Sequence, residues 1–241
     1  MYLSWIIPTK NEEKRIVKTL REVDAYLRSR HFEYEILVVD NGSTDRTSVV
    51  VNALKSDIRN LKLIQTHKGG KGWAVKMGML GALGTIRLFS DADNSTAPEH
   101  FDLMLPFFHK GYDIVVSSRD PKDVRGASRD IKEPMLREIL GTFGNLLIQT
   151  VAVWGIWDTQ NGFKALTKKA AEDIFGRVRM YGFSFDIEML ALSRRLKYRI
   201  GIIPVRWKFD PDSKVTLGAY IKVFVDVFKI RWNLMTNKYY L

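Results

Sequence analysis

The sequence predicts an α/β fold in which a mostly parallel sheet is covered by helices on both faces. Apolar segments of strand length alternate with helical segments throughout the first half of the chain. Polar and acidic residues follow directly after several of these apolar segments, as they do at the carboxyl ends of parallel strands. Strands that alternate with helices favour parallel pairing, because each connection between parallel strands crosses one face of the sheet.

The first half of the chain supplies the elements of this sheet. Five apolar segments are predicted to be strands, at residues 2–8, 34–40, 61–66, 85–90 and 112–117. The helix after the first strand is predicted from an apolar face formed by Ile16, Leu20, Val23 and Leu27. A glycine-rich stretch at residues 68–72 opens a further helix, whose apolar face is formed by Val75, Met79 and Leu83.

Two apolar segments stand out in the second half. Residues 139–157 contain no charged side chain and approach the length of a membrane span. Glycine and polar residues interrupt this segment, so it is predicted to be a buried or interfacial helix rather than a span. The last helix is predicted over residues 217–233, with an apolar stripe formed by Leu217, Tyr220, Ile221, Phe224, Phe228 and Trp232. This stripe fits either a helix that faces the core or an amphipathic helix at a membrane surface.

Composition limits the chemistry that the chain can perform. The 241 residues are 46% apolar and 27% charged, which is typical of one globular domain. The absence of cysteine excludes disulfides, thiolate metal ligands and a cysteine nucleophile. The four histidines are not spaced as zinc ligands, so any metal is expected to be a hard cation bound by carboxylates.

The charge of the chain points to its partners. A formal net charge of +11 indicates an anionic partner, such as a phosphate-rich ligand, nucleic acid or an acidic membrane surface. Nucleic acid is not expected, because aromatic residues are not interleaved with the basic ones as on a base-stacking surface. The first residues lack the pattern of a signal peptide, and a cytoplasmic location is therefore expected.

The sharpest feature is an acidic pair, Asp91 and Asp93, that directly follows the fourth predicted strand. The backbone turns at a strand end, so both carboxylates can reach one cation. Mg²⁺ or Mn²⁺ is usually bound in this way by one or two carboxylates together with the phosphate oxygens of a nucleotide. Such a cation stabilises the charge of a departing pyrophosphate. The structural alternative is a solvated acidic turn.

Two further strand-end features also indicate a nucleotide. Asp40 follows the second strand, where its carboxylate can accept the imide proton of uracil or guanine, or cap the next helix. Asp45, in the same turn, is predicted to be a cap or a structural residue. Lys71 lies in the glycine-rich stretch, where its ammonium and the N–H groups of a helix start can bind phosphate. This stretch lacks the spacing of a Walker A loop.

Taken in order, these motifs resemble those of family 2 glycosyltransferases, and within them the dolichyl-phosphate glucosyltransferase and mannosyltransferase group. The resemblance extends over nearly the whole chain. It is carried by Pro8-Thr9-Lys10-Asn11-Glu12-Glu13, residues 38–45, Gly69-Gly70-Lys71-Gly72, Asp91-Ala92-Asp93, Ser117-Ser118-Arg119, residues 158–164, Phe185-Asp186-Ile187-Glu188, Trp207 and Ser213-Lys214. The stretch Asp158-Thr159-Gln160-Asn161-Gly162-Phe163-Lys164 and the late Ser213-Lys214 are more similar to the dolichyl-phosphate β-glucosyltransferase branch.

The resemblance implies a GT-A fold, with a Rossmann-like nucleotide-binding half and C-terminal amphipathic helices. It implies one catalytic domain, residues 1–241, with a nucleotide-sugar-binding half (1–118), an acceptor-binding half (119–216) and a C-terminal amphipathic helix (217–241). The implied reaction is an inverting, metal-dependent transfer of a sugar from a nucleotide-sugar, with UDP-glucose favoured, to a polyprenyl or dolichyl phosphate. The implied metal is Mg²⁺ or Mn²⁺.

The resemblance also implies roles for individual residues. The nucleotide-sugar would be bound by Pro8, Thr9, Asn11, Glu12, Asp40, Gly42, Lys71, Asp91, Ala92 and Asp93. The metal would be held by Asp91 and Asp93. The catalytic residues would be Asp93, Arg119, Asp158 and Gln160, of which Asp158 and Gln160 would lie near the transferred sugar. The acceptor phosphate would be bound by Arg119, Arg137, Ser213 and Lys214.

The sequence departs from the family pattern at three points. Ser95 stands where the mannosyltransferase branch has a metal-binding glutamine, and Ser117 replaces the glycine of the usual Gly-Ser-Arg. Many members of the glucosyltransferase branch carry a membrane anchor, which is not seen in this sequence. A peripheral membrane contact through basic charge and amphipathic helices is therefore expected.

The acceptor decides the mechanism. A phosphate monoester is already an anion at neutral pH, so it needs orientation and charge screening rather than a general base. An alcohol would need a carboxylate base, for which the sequence offers Asp158, Asp186 and Glu188. The alternatives are a family 2 enzyme that acts on a sugar hydroxyl, a nucleic-acid-binding protein without catalysis, and a nucleotidyltransferase. The last would need a glycine-rich signature after the first strand, which is missing here.

Overall fold

The computed structural model describes residues 1–67, 69–129, 144–207 and 217–241, but not the side chains of residues 129, 217, 219 and 220. The predicted acceptor-binding residues Arg137, Ser213 and Lys214 lie outside the described residues. The first part of the apolar segment 139–157 does so as well. The predicted division of the chain at residues 118 and 216 stays a prediction.

A seven-stranded sheet forms the centre of the molecule. The strands of the described chain are β1 (Leu3–Thr9), β2 (Tyr34–Asn41), β3 (Leu61–Thr66), β4 (Ile86–Ser90), β5 (Ile114–Ser118), β6 (Ser128–Arg129), β7 (Phe163–Thr167), β8 (Ile200–Pro204) and β9 (Arg206–Trp207). The large sheet has the order β3-β2-β1-β4-β7-β5-β8, and β6 pairs with β9 separately. All pairs in the large sheet are parallel except those of β7, which is antiparallel to both neighbours. The predicted mostly parallel sheet is confirmed.

Helices cover both faces of this sheet. They are α1 (Ile16–Arg28), α2 (Thr47–Ala53), α3 (Lys71–Gly81), α4 (Phe101–His109), α5 (144–151), α6 (Lys168–Arg177), α7 (Phe185–Arg195) and α8 (Leu217–Met235). The apolar face predicted for α1 is buried as expected. One hydrophobic core lies against α1, α2 and α4, and a second lies against α3 and α5 to α8.

The central strands contribute to both cores at once. Trp5 and Leu88 face one core, while their chain neighbours Ile6 and Phe89 face the other. All four side chains are fully buried. Full burial of a large apolar side chain contributes about 1.5–3 kcal/mol to the free energy of unfolding. A single strand therefore stabilises both hydrophobic cores. Burial on two faces is also why these strands have continuous apolar sequences rather than alternating ones.

The prediction that Leu83 belongs to the buried face of α3 is wrong. The helix ends at Gly81, and the Leu83 side chain is 60% exposed. The chain leaves the helix here because the Leu83 N–H donates a hydrogen bond to the buried Glu35 carboxylate, at 2.7 Å. Gly84 then passes close to β1, where a Cβ atom would lie only 2.5 Å from the backbone nitrogen of Ser4. This close approach requires a glycine.

The described part of the uncharged segment 139–157 forms the short helix α5 and an irregular stretch. Val153 and Ile156 are buried in the core, whereas Trp154 is 75% exposed. Among the described residues, no helix has both the length and the apolar character needed to cross a membrane. The described part is helical only as far as residue 151, so a helix over the whole segment stays a prediction.

Helix α8 buries the face opposite to the predicted apolar stripe. The buried side chains are Asp226, Val227, Ile230 and Asn233. Ile221, Phe228 and Trp232 of the stripe are 57–60% exposed, so the core-facing interpretation is wrong for them. The reason is a polar anchor: Asp226 accepts a hydrogen bond of 2.7 Å from the hydroxyl of Ser184 and thereby orients the helix. The side chains of Leu217 and Tyr220 lie outside the described part.

Candidate active site

The carboxyl ends of β1, β2 and β4 lie side by side, which is where ligands bind in open α/β sheets. β1 and β2 are in parallel register, with Thr9 opposite Asp40. β4 ends at Ser90, directly before Asp91. The structure therefore brings the predicted nucleotide-binding residues Pro8, Thr9 and Asp40 to the same edge of the sheet as the acidic pair.

The turns after β1 and β2 are joined by hydrogen bonds. The Asn11 N–H donates to Ser43 Oγ at 2.9 Å, and the Thr44 N–H donates to Asn11 Oδ1 at 2.8 Å. The Glu12 N–H donates to Thr47 Oγ1, also at 2.8 Å. Asn11 has a φ of +56°, a left-handed conformation that asparagine tolerates better than most residues. The two turns thus form one rim, on which Asn11 and Glu12 have defined positions.

Asp40 is buried within this rim. Its Oδ1 accepts hydrogen bonds from the N–H and the hydroxyl of Ser43, at 3.1 and 2.5 Å. Its Oδ2 accepts from the hydroxyl of Ser48. Gly42 makes the intervening turn possible with a φ of +70°. Both carboxylate oxygens already have donors here, so binding of a base by Asp40 stays a prediction.

Asp45 has the structural role predicted for it. It accepts hydrogen bonds from the N–H and hydroxyl of Thr47, at 3.0 and 2.5 Å, and from the N–H of Glu13 at 3.1 Å. Burial opposes ionisation of this carboxyl, but the hydrogen bonds outweigh it and hold the pKa of Asp45 below its usual value. The residue therefore connects the start of α2 to the turn after β1.

The acidic pair lies beside the lysine of the glycine-rich turn. The Lys71 ammonium is in direct contact with Asp91 Oδ1, while the Ser95 N–H donates to Asp93 Oδ1 at 2.9 Å. Burial and then the negative charge of Asp91 raise the pKa of Asp93. Ala92, between them, is buried, and its carbonyl accepts a hydrogen bond of 2.6 Å from the Thr19 hydroxyl. Two carboxylates are thus crowded at one point, where an additional cation would be favoured.

Gly162 also packs against the carboxylate of Asp91, which Lys71 contacts as well. A Cβ atom at this position would lie 2.0 Å from Asp91 Oδ2 and 2.3 Å from its Cγ. Any side chain larger than hydrogen would therefore displace the carboxylate. Gly162 precedes β7, which lies next to β4 in the sheet. The segment 158–162 is in this way held against the acidic pair.

Arg119 and Asp158 form an ion pair in which the carboxylate is buried and the guanidinium is partly buried. Two guanidinium nitrogens donate to the two carboxylate oxygens, at 2.8 and 2.7 Å, and the Arg119 N–H adds a third bond of 2.7 Å. The guanidinium also lies over the ring of Trp207, 5.2 Å from its centre. Burial raises the pKa of the Asp158 carboxyl, but the charge of Arg119 outweighs it and lowers that pKa overall. Asp158 is thus ionised and orients Arg119.

The residues between Asp158 and Gly162 include polar groups that the sequence did not single out. Thr159 Oγ1 and Asn161 Nδ2 are buried and have no hydrogen-bond partner within the described part of the chain. Asn161 lines a small cleft together with Asp91 and Trp207. Gln160 is exposed, and its amide donates to the carbonyl of Phe183 at 3.3 Å. The position of Gln160 near a transferred sugar stays a prediction.

A second buried ion pair, between Lys164 and Asp186, lies behind the acidic pair. Lys164 is fully buried on β7; its ammonium contacts Asp186 Oδ1 at 2.5 Å and the carbonyl of Asn161. Burial lowers the pKa of Lys164 and raises that of Asp186. The pair joins the first turn of α7 to the segment that touches Asp91. The signal that could have revealed it was a lysine between the apolar residues Phe163 and Ala165.

All three carboxylates that the sequence offered as bases are engaged. Asp158 pairs with Arg119, and Asp186 pairs with Lys164. Glu188 accepts hydrogen bonds from the backbone N–H groups of residues 179 and 180. Across residues 1–67, 69–129, 144–207 and 217–241, no group of three or more acidic or histidine side chains could hold a metal ion.

The sheet order and the acidic pair at its edge are those expected of a glycosyltransferase with the GT-A fold. The chain belongs to glycosyl transferase family 2, whose pattern residues 4–175 match. It is 36% identical to the dolichyl-phosphate beta-glucosyltransferase ALG5D of Trichomonas vaginalis, over 95% of this chain and 73% of that protein. The human dolichyl-phosphate beta-glucosyltransferase is 30% identical, over 99% of this chain and 78% of that protein. The family predicted from the motifs is confirmed.

Solved structures confirm the predicted fold. Glucosyl-3-phosphoglycerate synthase from Mycobacterium tuberculosis, in complex with Mn²⁺, UDP and phosphoglyceric acid, superposes with a TM-score of 0.70 at 16% identity. The alignment covers 95% of this chain and 76% of that one. The same synthase with Mg²⁺ and UDP gives a TM-score of 0.69. In these two structures the synthase is bound to UDP together with a divalent cation.

We expect Gly162→Ala to weaken the binding of UDP in the presence of Mn²⁺ by about tenfold or more, because the new methyl group must displace the Asp91 carboxylate. Isothermal titration calorimetry measures this affinity. The matched control is Gly176→Ala, since a Cβ atom at Gly176 would meet nothing within 4 Å. An unchanged affinity in Gly162→Ala would contradict the role of Asp91 in donor binding.

Proposed function

We propose that this chain transfers glucose from UDP-glucose to a dolichyl or related polyprenyl phosphate, with a divalent cation, at a membrane surface. The observation that carries the proposal is the packing of the segment 158–162 against Asp91. This segment belongs to the stretch that is similar to the dolichyl-phosphate β-glucosyltransferase branch. Relatives of that name align over 95–99% of this chain, which supports the same substrates here.

The donor would lie along the edge formed by β1, β2 and β4. Its base would meet the rim of Pro8, Thr9 and Asp40, and its phosphates would meet Lys71 and the start of α3. Helix starts and lysine both favour phosphate. UDP rather than another nucleotide is supported by the UDP-bound structures with this fold. Glucose is supported by the names of the relatives.

The residues present fit a bound Mg²⁺ or Mn²⁺. Asp91 and Asp93 offer carboxylate oxygens, the ligands that these hard cations prefer. Burial and then the negative charge of Asp91 raise the pKa of Asp93, and a cation would offset the repulsion between the two carboxylates. Lys71 already places one positive charge against Asp91. When bound, the cation would neutralise the pyrophosphate of the leaving UDP.

Arg119 is suited to orient an anionic acceptor. Its guanidinium is fixed by two hydrogen bonds to Asp158 and by the Trp207 ring, so its direction is set before any substrate binds. An acceptor phosphate needs no base, and the candidate bases are engaged elsewhere. We therefore propose a direct displacement: an acceptor phosphate oxygen forms a bond to the anomeric carbon with inversion, while the bond to UDP breaks. Arg137, Ser213 and Lys214 would complete the phosphate site.

The outer face of α8 supports a peripheral membrane contact. Its exposed apolar side chains are Ile221, Val225, Phe228, Trp232 and Met235. Its exposed basic side chains include Lys222, Lys229 and Arg231. Apolar residues that penetrate the interface, flanked by basic residues that attract acidic lipids, are typical of interfacial helices. This face would keep the enzyme near a lipid-linked acceptor.

The proposal is tested with purified protein, a short polyprenyl phosphate, Mg²⁺ or Mn²⁺, and a panel of radiolabelled UDP- and GDP-sugars. We expect radioactivity in the organic phase with UDP-glucose, and we expect its loss with EDTA. The panel identifies the sugar, and omission of the lipid controls for donor hydrolysis. Donor hydrolysis without any lipid product would overturn the acceptor and indicate a hydroxyl acceptor instead.

Arg119→Lys should raise the KM for polyprenyl phosphate by about tenfold while changing the KM for UDP-glucose less than about twofold. Lysine keeps the positive charge beside Asp158 but loses the planar pair of donors. Steady-state kinetics with each substrate varied in turn measures the two values. Arg125→Lys, at an exposed arginine six residues further on, is the control. Equal effects on both KM values would contradict the acceptor role of Arg119.

Replacing both Phe228 and Trp232 by serine should reduce binding to acidic lipid vesicles by at least about tenfold, because two exposed apolar side chains no longer enter the interface. Vesicle sedimentation measures the bound fraction. Leu83→Ser is the control, since Leu83 is equally exposed but lies beyond the end of α3. Undiminished vesicle binding by the double variant would rule out α8 as the membrane-binding surface.

A further inference from the structure

The segment between α6 and α7, residues 178–184, lies directly against the glycine-rich turn of the donor site. The Trp73 N–H donates to the carbonyl of Tyr181 at 3.3 Å, and the two rings pack edge to face with centres 4.9 Å apart. A Cβ atom at Gly70 would lie 2.5 Å from the same carbonyl oxygen. Because backbone meets backbone here without an intervening side chain, the position of one segment fixes the other. Lys71, which contacts Asp91, lies within this turn.

Glu188 of α7 holds this segment from inside the protein. Its side chain is fully buried, and its Oε2 accepts hydrogen bonds from the N–H groups of Arg179 and Met180, at 2.8 and 2.7 Å. A buried carboxylate is costly unless hydrogen bonds compensate for lost water. Burial also raises the pKa of Glu188. Glu188 comes from the Phe185-Asp186-Ile187-Glu188 motif, to which the proposed reaction gives no task.

The C-terminal residues complete the environment of Glu188. Tyr239 follows α8, is only 1% exposed, and donates a hydrogen bond of 2.6 Å from its hydroxyl to Glu188 Oε1. The next residue, Tyr240, is 80% exposed. Helix α8 also contacts the segment 178–184 directly, because the hydroxyl of Ser184 donates a hydrogen bond to Asp226 of α8. The last helix and its tail thus hold the segment 178–184 at both of its ends.

We propose that Glu188 and Tyr239 are positioning residues for the donor. They fix the segment 178–184 and, through it, the glycine-rich turn that carries Lys71. Neither side chain touches a substrate. This proposal rests on the proposed binding of a UDP-sugar beside Lys71. It gives the C-terminal tail a function in donor binding, at the far end of the chain from the strands that form the donor site.

The test compares Tyr239→Phe with Tyr240→Phe. The first removes the buried hydroxyl but keeps the ring, which leaves Glu188 Oε1 buried without a donor. The second removes an exposed hydroxyl from the adjacent residue and is the matched control. We expect the Kd for UDP with Mn²⁺ to rise about threefold to tenfold in Tyr239→Phe, as for the loss of one buried hydrogen bond. Tyr240→Phe should bind UDP like the unchanged protein.

Hydrogen exchange followed by mass spectrometry gives a second measurement that needs no ligand. In Tyr239→Phe, we expect the amides of residues 69–73 and 178–181 to exchange at least about tenfold faster, while those of β1 and β2 stay unchanged. If the unchanged protein does not bind UDP but Tyr239→Phe still shows faster exchange in both segments, the positioning of the turn is supported and the proposed donor is overturned. The two hypotheses can therefore fail separately.

A purely structural role gives a different pattern. A lower melting temperature of Tyr239→Phe with unchanged UDP affinity and unchanged exchange in both segments would overturn the proposal. Glu188→Gln provides the conservative variant if Tyr239→Phe does not fold. Its amide oxygen can still accept from both N–H groups and its NH₂ can donate to Tyr239, so it should show a smaller increase in Kd. A Kd equal to that of the unchanged protein in both variants would also overturn the proposal.

Discussion

The contact between Gly162 and the carboxylate of Asp91 is the constraint on which the rest of the site depends. It exists because β7, from the second half of the chain, is inserted between β4 and β5. Strand β4 delivers the acidic pair to the sheet edge, and β7 runs in the opposite direction, so its beginning meets the end of β4. A donor at Asp91 and an acceptor at Arg119, as proposed, would therefore be positioned by one continuous sheet rather than by two independent units.

Three of the acidic groups at this edge each lie against a specific cation. Asp158 pairs with Arg119, Asp186 with Lys164, and Asp91 with Lys71. Buried charges are tolerated only when they are paired and hydrogen bonded. Each pair also connects two different elements. The first joins the segment after β5 to the segment before β7, the second joins β7 to α7, and the third joins the start of α3 to the end of β4. The same ion pairs thus set the charges of the site and hold together the strands and helices that form it.

The sequence predicted the first half well because its signals are local. Buried strands have continuous apolar runs, and polar residues follow where a strand reaches the ligand edge, as at Asp40 and Asp91. It did not predict β7, because an antiparallel strand between two parallel ones is a matter of tertiary pairing. It missed Lys164, which only a partner 22 residues away makes tolerable. It left open which face of α8 is buried, because the sequence does not show that Ser184 would donate a hydrogen bond to a buried Asp226.

The orientation of α8 links the proposed membrane surface to both substrates. Because Asp226 and Asn233 face inward, the stripe residues Ile221, Phe228 and Trp232 face outward. Through Ser184 and Tyr239, the inward face holds the segment 178–184, and this segment contacts the glycine-rich turn on one side and Gln160 on the other. Gln160 lies two residues from Asp158, the partner of Arg119. A lipid-bound α8 would therefore be connected, through this one short segment, both to the turn proposed to bind the donor and to the stretch whose Asp158 holds Arg119.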